Sequence, residues 1–234
     1  MKTLNASFQL TFIFLLVLTL FNTGCSSDDA SQPVDSAVAD SGGSVSFDES
    51  KLNEALSALP VEDVSDDEIA GLIFMREEEK LARDTYIEMF NKWGIKIFDN
   101  ISKSEQTHTD AVLELLEKYS IKDPVGDNAP GVFTDQKLQS LYDSLVAQGS
   151  ASLIDALLVG AAIEEIDIID IQVQVDNYVD NQDIALVYES LLKGSRNHLR
   201  SFVSNLEKQE VVYQPQYLSQ QAYDDIVNPT METN

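Results

Sequence analysis

Residues 104–108 read Ser104-Glu105-Gln106-Thr107-His108, and they decide how the rest of the chain is read. One of only two histidines in 234 residues follows a glutamate at a spacing of three. In an α-helix that spacing puts both side chains on one face, about 4.5 Å apart along the axis. The neighbouring apolar residues say which face. Phe98, Ile101, Glu105, His108, Val112, Leu115 and Tyr119 recur at threes and fours, so Glu105 and His108 occupy the inner line of an amphipathic helix capped at Asp99 or Asn100.

The same anomaly repeats on three other predicted helices. The one before it starts at Asp66 or Asp67, runs through Leu72, Met75, Glu79, Ala82, Tyr86, Met89 and Trp93, and stops at Gly94, leaving a short link (residues 95–100). A third spans about 152–175 with the line Leu153, Leu157, Gly160, Glu164, Asp167 and Ile171. A fourth spans 184–208 with Ile184, Tyr188, Leu191, Ser195, His198 and Phe202. Between the second and third lies a stretch of roughly 30 residues, opened by Asp123-Pro124, Gly126, Pro130 and Gly131 and carrying a short helix over 135–147. Two short connections around one long crossover predict an all-α fold: a ferritin-like four-helix bundle whose crossover joins helices 2 and 3. The tail from 211 should pack outside, with a small helix after Ser219, and lose order over 227–234.

A bundle core should be apolar, and a buried, unpaired carboxylate costs several kcal/mol. Yet the inner lines carry Glu79, Glu105, His108, Glu164, Asp167 and His198. A pair of divalent cations explains all four helices contributing at one level, because carboxylates bridge two ions and neutral imidazole binds one. The competing explanation is a metal-free polar network in which Glu105, His108 and His198 satisfy one another. Tyr86 and Tyr188, also on inner lines, are candidates to donate to ligand carboxylates or are simply core. Glu77 and Glu78 fall off the Glu79 line and read as solvated face; Arg83 and Arg196 read as surface salt bridges. The acidic run 176–183 lacks the glycine and final glutamate of a calcium loop.

These motifs resemble known ones. Glu79 through Tyr86 (EKLARDTY) is similar to the first-helix motif of rubrerythrins and ferritins, where a ligand Glu precedes a Tyr by seven residues. SEQTH resembles their Glu-x-x-His, Glu164-x-x-Asp167 their third-helix acidic pair, and Asn197-His198-Leu199 their last ligand histidine. REEEKLARDTY, SEQTH, GVFTD, VGAAIEEIDIID and SRNHLRSF together resemble an uncharacterised prokaryotic ferritin-like family, domain of unknown function 2202, over about residues 66–226. The resemblance implies a site of two iron ions, with manganese as the alternative, held by Glu79, Glu105, His108, Glu164, Asp167 and His198, with Tyr86, Tyr188 and Ser195 behind them. It also exposes a departure: where the fourth helix should read Glu-x-x-His, Ser195 occupies the bridging-carboxylate position. Asp167, or Glu165 after a small rotation of the helix, is the candidate replacement.

The N-terminus bears on location. Residues 8–21 are apolar but too short to span a bilayer comfortably, Lys2 precedes them, and Thr23, Gly24 and the only cysteine, Cys25, follow. Asn22-Thr23-Gly24-Cys25 resembles a lipobox, which implies a lipoprotein signal over 1–24, lipidation at Cys25, and export to the bacterial cell envelope on the periplasmic or surface side. Residues 25–49 then form an acidic, serine-rich tether, and 50–226 the domain. A formal charge of −25 argues against nucleic acid as a partner. The expected partners are metal ions, a small oxidant such as peroxide or dioxygen, the membrane through the lipid, and a second copy of the chain. The expected activity is a di-iron or iron–manganese oxidoreductase, with ferrous iron as a candidate donor since no rubredoxin-type cysteines exist. The alternative is a non-catalytic metal-binding or structural envelope lipoprotein whose two-metal site has degenerated at Ser195.

Overall fold

The computed structural model describes residues 49–232; the residues expected to form a signal and a tether, with Cys25 between them, lie outside the described residues up to 48. The described residues form helices and no strand: α1 Glu49–Ala58, α2 Asp66–Trp93, α3 Lys96–Lys118, α4 Gln136–Gly149, α5 Leu153–Asn177, α6 Gln182–Lys208 and α7 Gln220–Val227. None is long and apolar enough to cross a membrane. The four long ones make the bundle. In cross-section α2 lies beside α3 and α5, and α6 beside the same two, so α2 and α6 are diagonal. The crossover from α3 to α5 carries α4, which packs on α2 and α5, while α7 lies on α6. The bundle connectivity is the one the spacing predicts.

Local chemistry sets the helix ends. Ser65, not Asp66 or Asp67, caps α2: its hydroxyl accepts from Glu68 N while Glu68 Oε2 accepts from Ser65 N, a reciprocal capping box. Gly94 reverses the chain in the left-handed region (φ 68°), and it does so alone. Consequently α3 starts at Lys96, a turn earlier than expected, and Asp99 and Asn100 sit inside it. The residues read as a link bury Ile97 and Phe98 in the core. Asp135, Ser152 and Ser219 cap α4, α5 and α7 through their side chains. α1 was not expected; it is held by burial of Leu52 and Leu56 and by Lys118 Nζ donating to the carbonyls of Leu56 and Leu59.

Buried acids fasten the irregular segments to the bundle. Glu77, expected on a solvated face, is buried and accepts from Thr134 N (2.5 Å) and Asp135 N (2.9 Å), holding the crossover where α4 begins. Asp84, paired with Lys80 and Arg83, accepts from Gly131 N. Glu68 accepts from Asp180 N and Asn181 N at the α5–α6 connection. Glu165 points away from the bundle axis and accepts from Tyr213 Oη and from the backbone N–H groups of Gln216, Tyr217 and Leu218. It is therefore the anchor of the tail, not a substitute bridge. The segment after α7, expected to lack order from 227, is tied down as far as Glu232, which pairs with Arg196 (2.6 Å) and Arg200 (3.0 Å).

Candidate metal centre

The inner lines of all four bundle helices meet at one level. Glu79 comes from α2, Glu105 and His108 from α3, Glu164 from α5 and His198 from α6, each at most 1% exposed. Below them a cluster of Tyr86, Phe98 and Phe202, with ring centroids 5.3–6.4 Å apart, closes the core. Phe202 fits because α5 has Gly160 opposite, where a Cβ would lie 2.5 Å from the ring's Cζ and closer still to Cε1.

Glu105 is the centre of the arrangement. Its Oε2 lies 2.8 Å from His108 Nδ1 and its Oε1 2.8 Å from His198 Nδ1. His108 Nδ1 is also 3.1 Å from Glu79 Oε2, and His198 Nδ1 3.4 Å from Glu164 Oε2. Two groups result, Glu79–Glu105–His108 and Glu105–Glu164–His198, each with ligand atoms within 4.8 Å of one another. His108 Nδ1 and Glu79 Oε2 are hydrogen-bonded, but Glu105 Oε2 and His198 Nδ1 make no aligned hydrogen bond despite these distances, and Glu79 Oε1 has no hydrogen-bond partner. Atoms that crowd together without pointing at one another are arranged around common points between them, which suits a cation better than a hydrogen-bond network. The two imidazoles stack at 5.5 Å.

Charge leads the same way. Five buried acids (Glu78, Glu79, Glu105, Glu164 and Asp167) face two histidines. The buried bases nearby are committed elsewhere, Arg76 to Asp123 and Thr109 and Lys80 to Asp84. Burial pushes Glu79 up to about 7 against the pull of His108. Burial would raise Glu105 as well, but His108 and His198 on either side hold it below the usual carboxylate range. Burial works against the charged form of His198, yet Glu105 and Glu164 lift it to about 9. Glu164 is raised by burial and by Glu105, and Asp167 by burial and by Glu79, Glu105 and Glu164. This is an interior with more acid than its own bases neutralise.

The surrounding side chains orient the convergent ones. Tyr86 Oη donates to Glu164 Oε1 at 2.5 Å. Ser104 Oγ, 2.9 Å from His198 Nε2, fixes the outer side of that ring so that Nδ1 faces Glu105. Gly194 of α6 lies against His108: a Cβ there would come within 2.5 Å of its Cε1. The sequence reading missed Ser104 and Gly194. Ser104 was visible as the inner position one turn before His108, and Gly194 as a helix-interior glycine, costly without a close neighbour.

Two expected positions fall differently. Tyr188 Oη faces Gly71 of α2, where a Cβ would lie 3.4 Å away, and has no hydrogen-bond partner. Asp167 belongs to neither convergent group; its Oδ2 is hydrogen-bonded to Ser195 Oγ, so the serine and the acid occupy the region together. Glu78, read as solvated, is buried beside Asp167 with Oε2 unpartnered. Arg83 and Arg196, expected in surface salt bridges, pair with Asp84, whose side chain is buried, and with the partly exposed Glu232.

Comparison with known proteins gives this arrangement a family. The profile of an uncharacterized protein domain, DUF2202, matches residues 68–230. The uncharacterized protein MJ0754 of Methanocaldococcus jannaschii is 51% identical over 179 residues, which cover 76% of this chain and 96% of that protein. The crystal structure of hypothetical protein MJ0754 from Methanococcus jannaschii superposes with a TM-score of 0.73 over 75% of this chain and 99% of the other. The four-helix bundle with its shared glutamate is thus built on a sequence that belongs to the DUF2202 family.

Proposed function

We propose that this protein is a ferritin-like two-metal oxidoreductase of the cell envelope. It holds iron, or iron with manganese, and uses peroxide or dioxygen as oxidant with ferrous iron as donor. The observation that carries the reading is Glu105: one carboxylate shared by two ligand groups, each completed by a different histidine and a different second glutamate. Glu79, Glu105 and His108 would hold one ion; Glu105, Glu164 and His198 would hold the other. When bound, such a pair would supply one-electron redox steps and Lewis-acid binding of a small oxidant.

The chain's own residues do the rest. Tyr86 fixes Glu164 and Ser104 fixes His198, so neither must reorganise when an ion arrives. The aromatic cluster and the fully buried ligands keep bulk water from the centre. Attachment through Cys25 to the envelope membrane and pairing with a second copy belong to the same proposal; the first rests on residues 8–25 of the sequence.

The Ser195–Asp167 contact favours a second reading, a centre that binds metal without turnover, because a hydroxyl stands where a second bridging carboxylate would. The full-length chain, purified after aerobic expression in iron-rich medium, separates the two. Two iron ions per chain and hydrogen peroxide consumption driven by ferrous iron, both lost in Glu105→Ala, support the oxidoreductase. Two ions without consumption support the second reading, and no bound ion in a folded protein contradicts both.

A further inference from the structure

A second set of acids lies outside the two convergent groups. Between α2, α4 and α5 is a small pocket, partly open, with room for about one water molecule. Leu81, Ala82, Leu141, Ile163 and Ile166 wall it, and its charged lining is Glu78 and Asp167, with no Lys, Arg or His. Both carboxylates are deeply buried, 5% and 4% exposed, and each has an oxygen, Glu78 Oε2 and Asp167 Oδ1, without a hydrogen-bond partner. Two such oxygens at one pocket call for a hydrogen-bond donor or a cation. An anion is repelled there, and an apolar ligand satisfies neither oxygen.

The position of the pocket gives the visitor a destination. Asp170 on α5 is half-buried and engages Glu78. From Asp170 the acids Asp167 and Glu164 follow at steps of three residues, each about 4.5 Å further along one helix face. Glu164 belongs to the second convergent group. The file thus runs from a half-buried carboxylate, past two unpartnered oxygens, to the candidate centre.

We propose that this file is the loading route for divalent cations: Asp170 and Glu78 capture the ion at the pocket, and Asp167 passes it to Glu164. The inference rests on the two-metal reading and adds how the ions arrive in a centre whose ligands are all buried. Aliphatic walls strip water from the ion while the carboxylates replace it. The net charge of −25 raises cation concentration around the whole molecule, so the route must be distinguished from general attraction.

The test is stopped-flow loading of the metal-free, full-length protein with cobalt(II), followed by its visible absorption. Glu78→Gln and Asp170→Asn each slow loading at least tenfold while the final content stays at two ions per chain. Ile166→Trp, which fills the pocket mouth without changing an acid, slows it likewise. Glu88→Gln, the same charge change at an exposed position of α2, loads at the wild-type rate. Wild-type loading rates in Glu78→Gln and Asp170→Asn would overturn the route. Failure of the wild type to bind cobalt at all would overturn the two-metal reading instead.

Discussion

Replacing Gly194 by alanine adds one methyl group at the most crowded point of the centre. The new Cβ would come within 2.5 Å of His108 Cε1, and closer still to Nε2, where ordinary contacts are about 3.5 Å. The ring must retreat by about 1 Å. On its other side Nδ1 is already 3.1 Å from Glu79 Oε2 and 2.8 Å from Glu105 Oε2, so the retreat drives it into the carboxylates it is meant to share an ion with. Metal–ligand distances tolerate only about 0.2 Å. Overpacking costs about 1–3 kcal/mol, offset by roughly 1 kcal/mol from alanine's better helix propensity, so the protein should fold with only a modest loss in melting temperature. Calorimetric titration with manganese(II) should then show one ion bound at least about tenfold more weakly, as when a residue that orients a ligand is lost. The ion of the Glu105–Glu164–His198 group should change less. Two ions bound with wild-type affinities by a folded Gly194→Ala protein would refute the placement of His108.

Three further outcomes follow from the geometry. Tyr86→Phe removes the donor to Glu164 Oε1 and should weaken metal binding about 10–100-fold with the fold retained, measured by the same titration. Glu165→Ala leaves Tyr213 and three backbone N–H groups without their charged acceptor; a loss of about 3 kcal/mol in denaturant unfolding, with proteolytic cleavage near 211–219, is expected, and an unchanged cleavage pattern would contradict it. Glu232, held below its ordinary value of 4.5 by Arg196 and then Arg200, has a folded pKa lower than its unfolded one. Its contribution is therefore present above about 4.5 and is lost as pH falls through the folded value. Glu232→Gln should flatten the acid limb of the stability–pH curve and leave the neutral-to-alkaline part of that curve unchanged in shape.

The site was legible where chemistry defied the pattern. Glu105 and His108 stood on an apolar line where neither belongs without a reason, and Glu79, Glu164 and His198 repeated the signal on the other helices. The bundle followed from four amphipathic periodicities and the lengths of the connections between them. The reading failed where a helix is covered on more than one side. It treated α2 as having one buried face and assigned Glu77 and Glu78 to water, but α2 is flanked by α3, α5 and the crossover with α4, and the run from Met75 to Ala82 is buried throughout. Glu77 is satisfied there by the loop backbone at Thr134 and Asp135, and Lys80 by that at Ala129 and Val132, and amphipathic periodicity carries no trace of such long-range partners. Glu165 was misread for the same reason, its partners being a tail some fifty residues away. The capping box at Ser65 and Glu68 was available in the sequence as Ser-x-x-Glu and was obscured by the two aspartates between them.

Anomalous diffraction from crystals of the manganese-loaded protein asks whether Glu105 is one carboxylate serving two ions. Two peaks are expected on either side of the Glu105 carboxylate, about 3.5–4 Å apart, one beside His108 and one beside His198. A manganese-soaked crystal with Glu79, Glu105, His108, Glu164 and His198 in the positions described and no anomalous peak between them would contradict it.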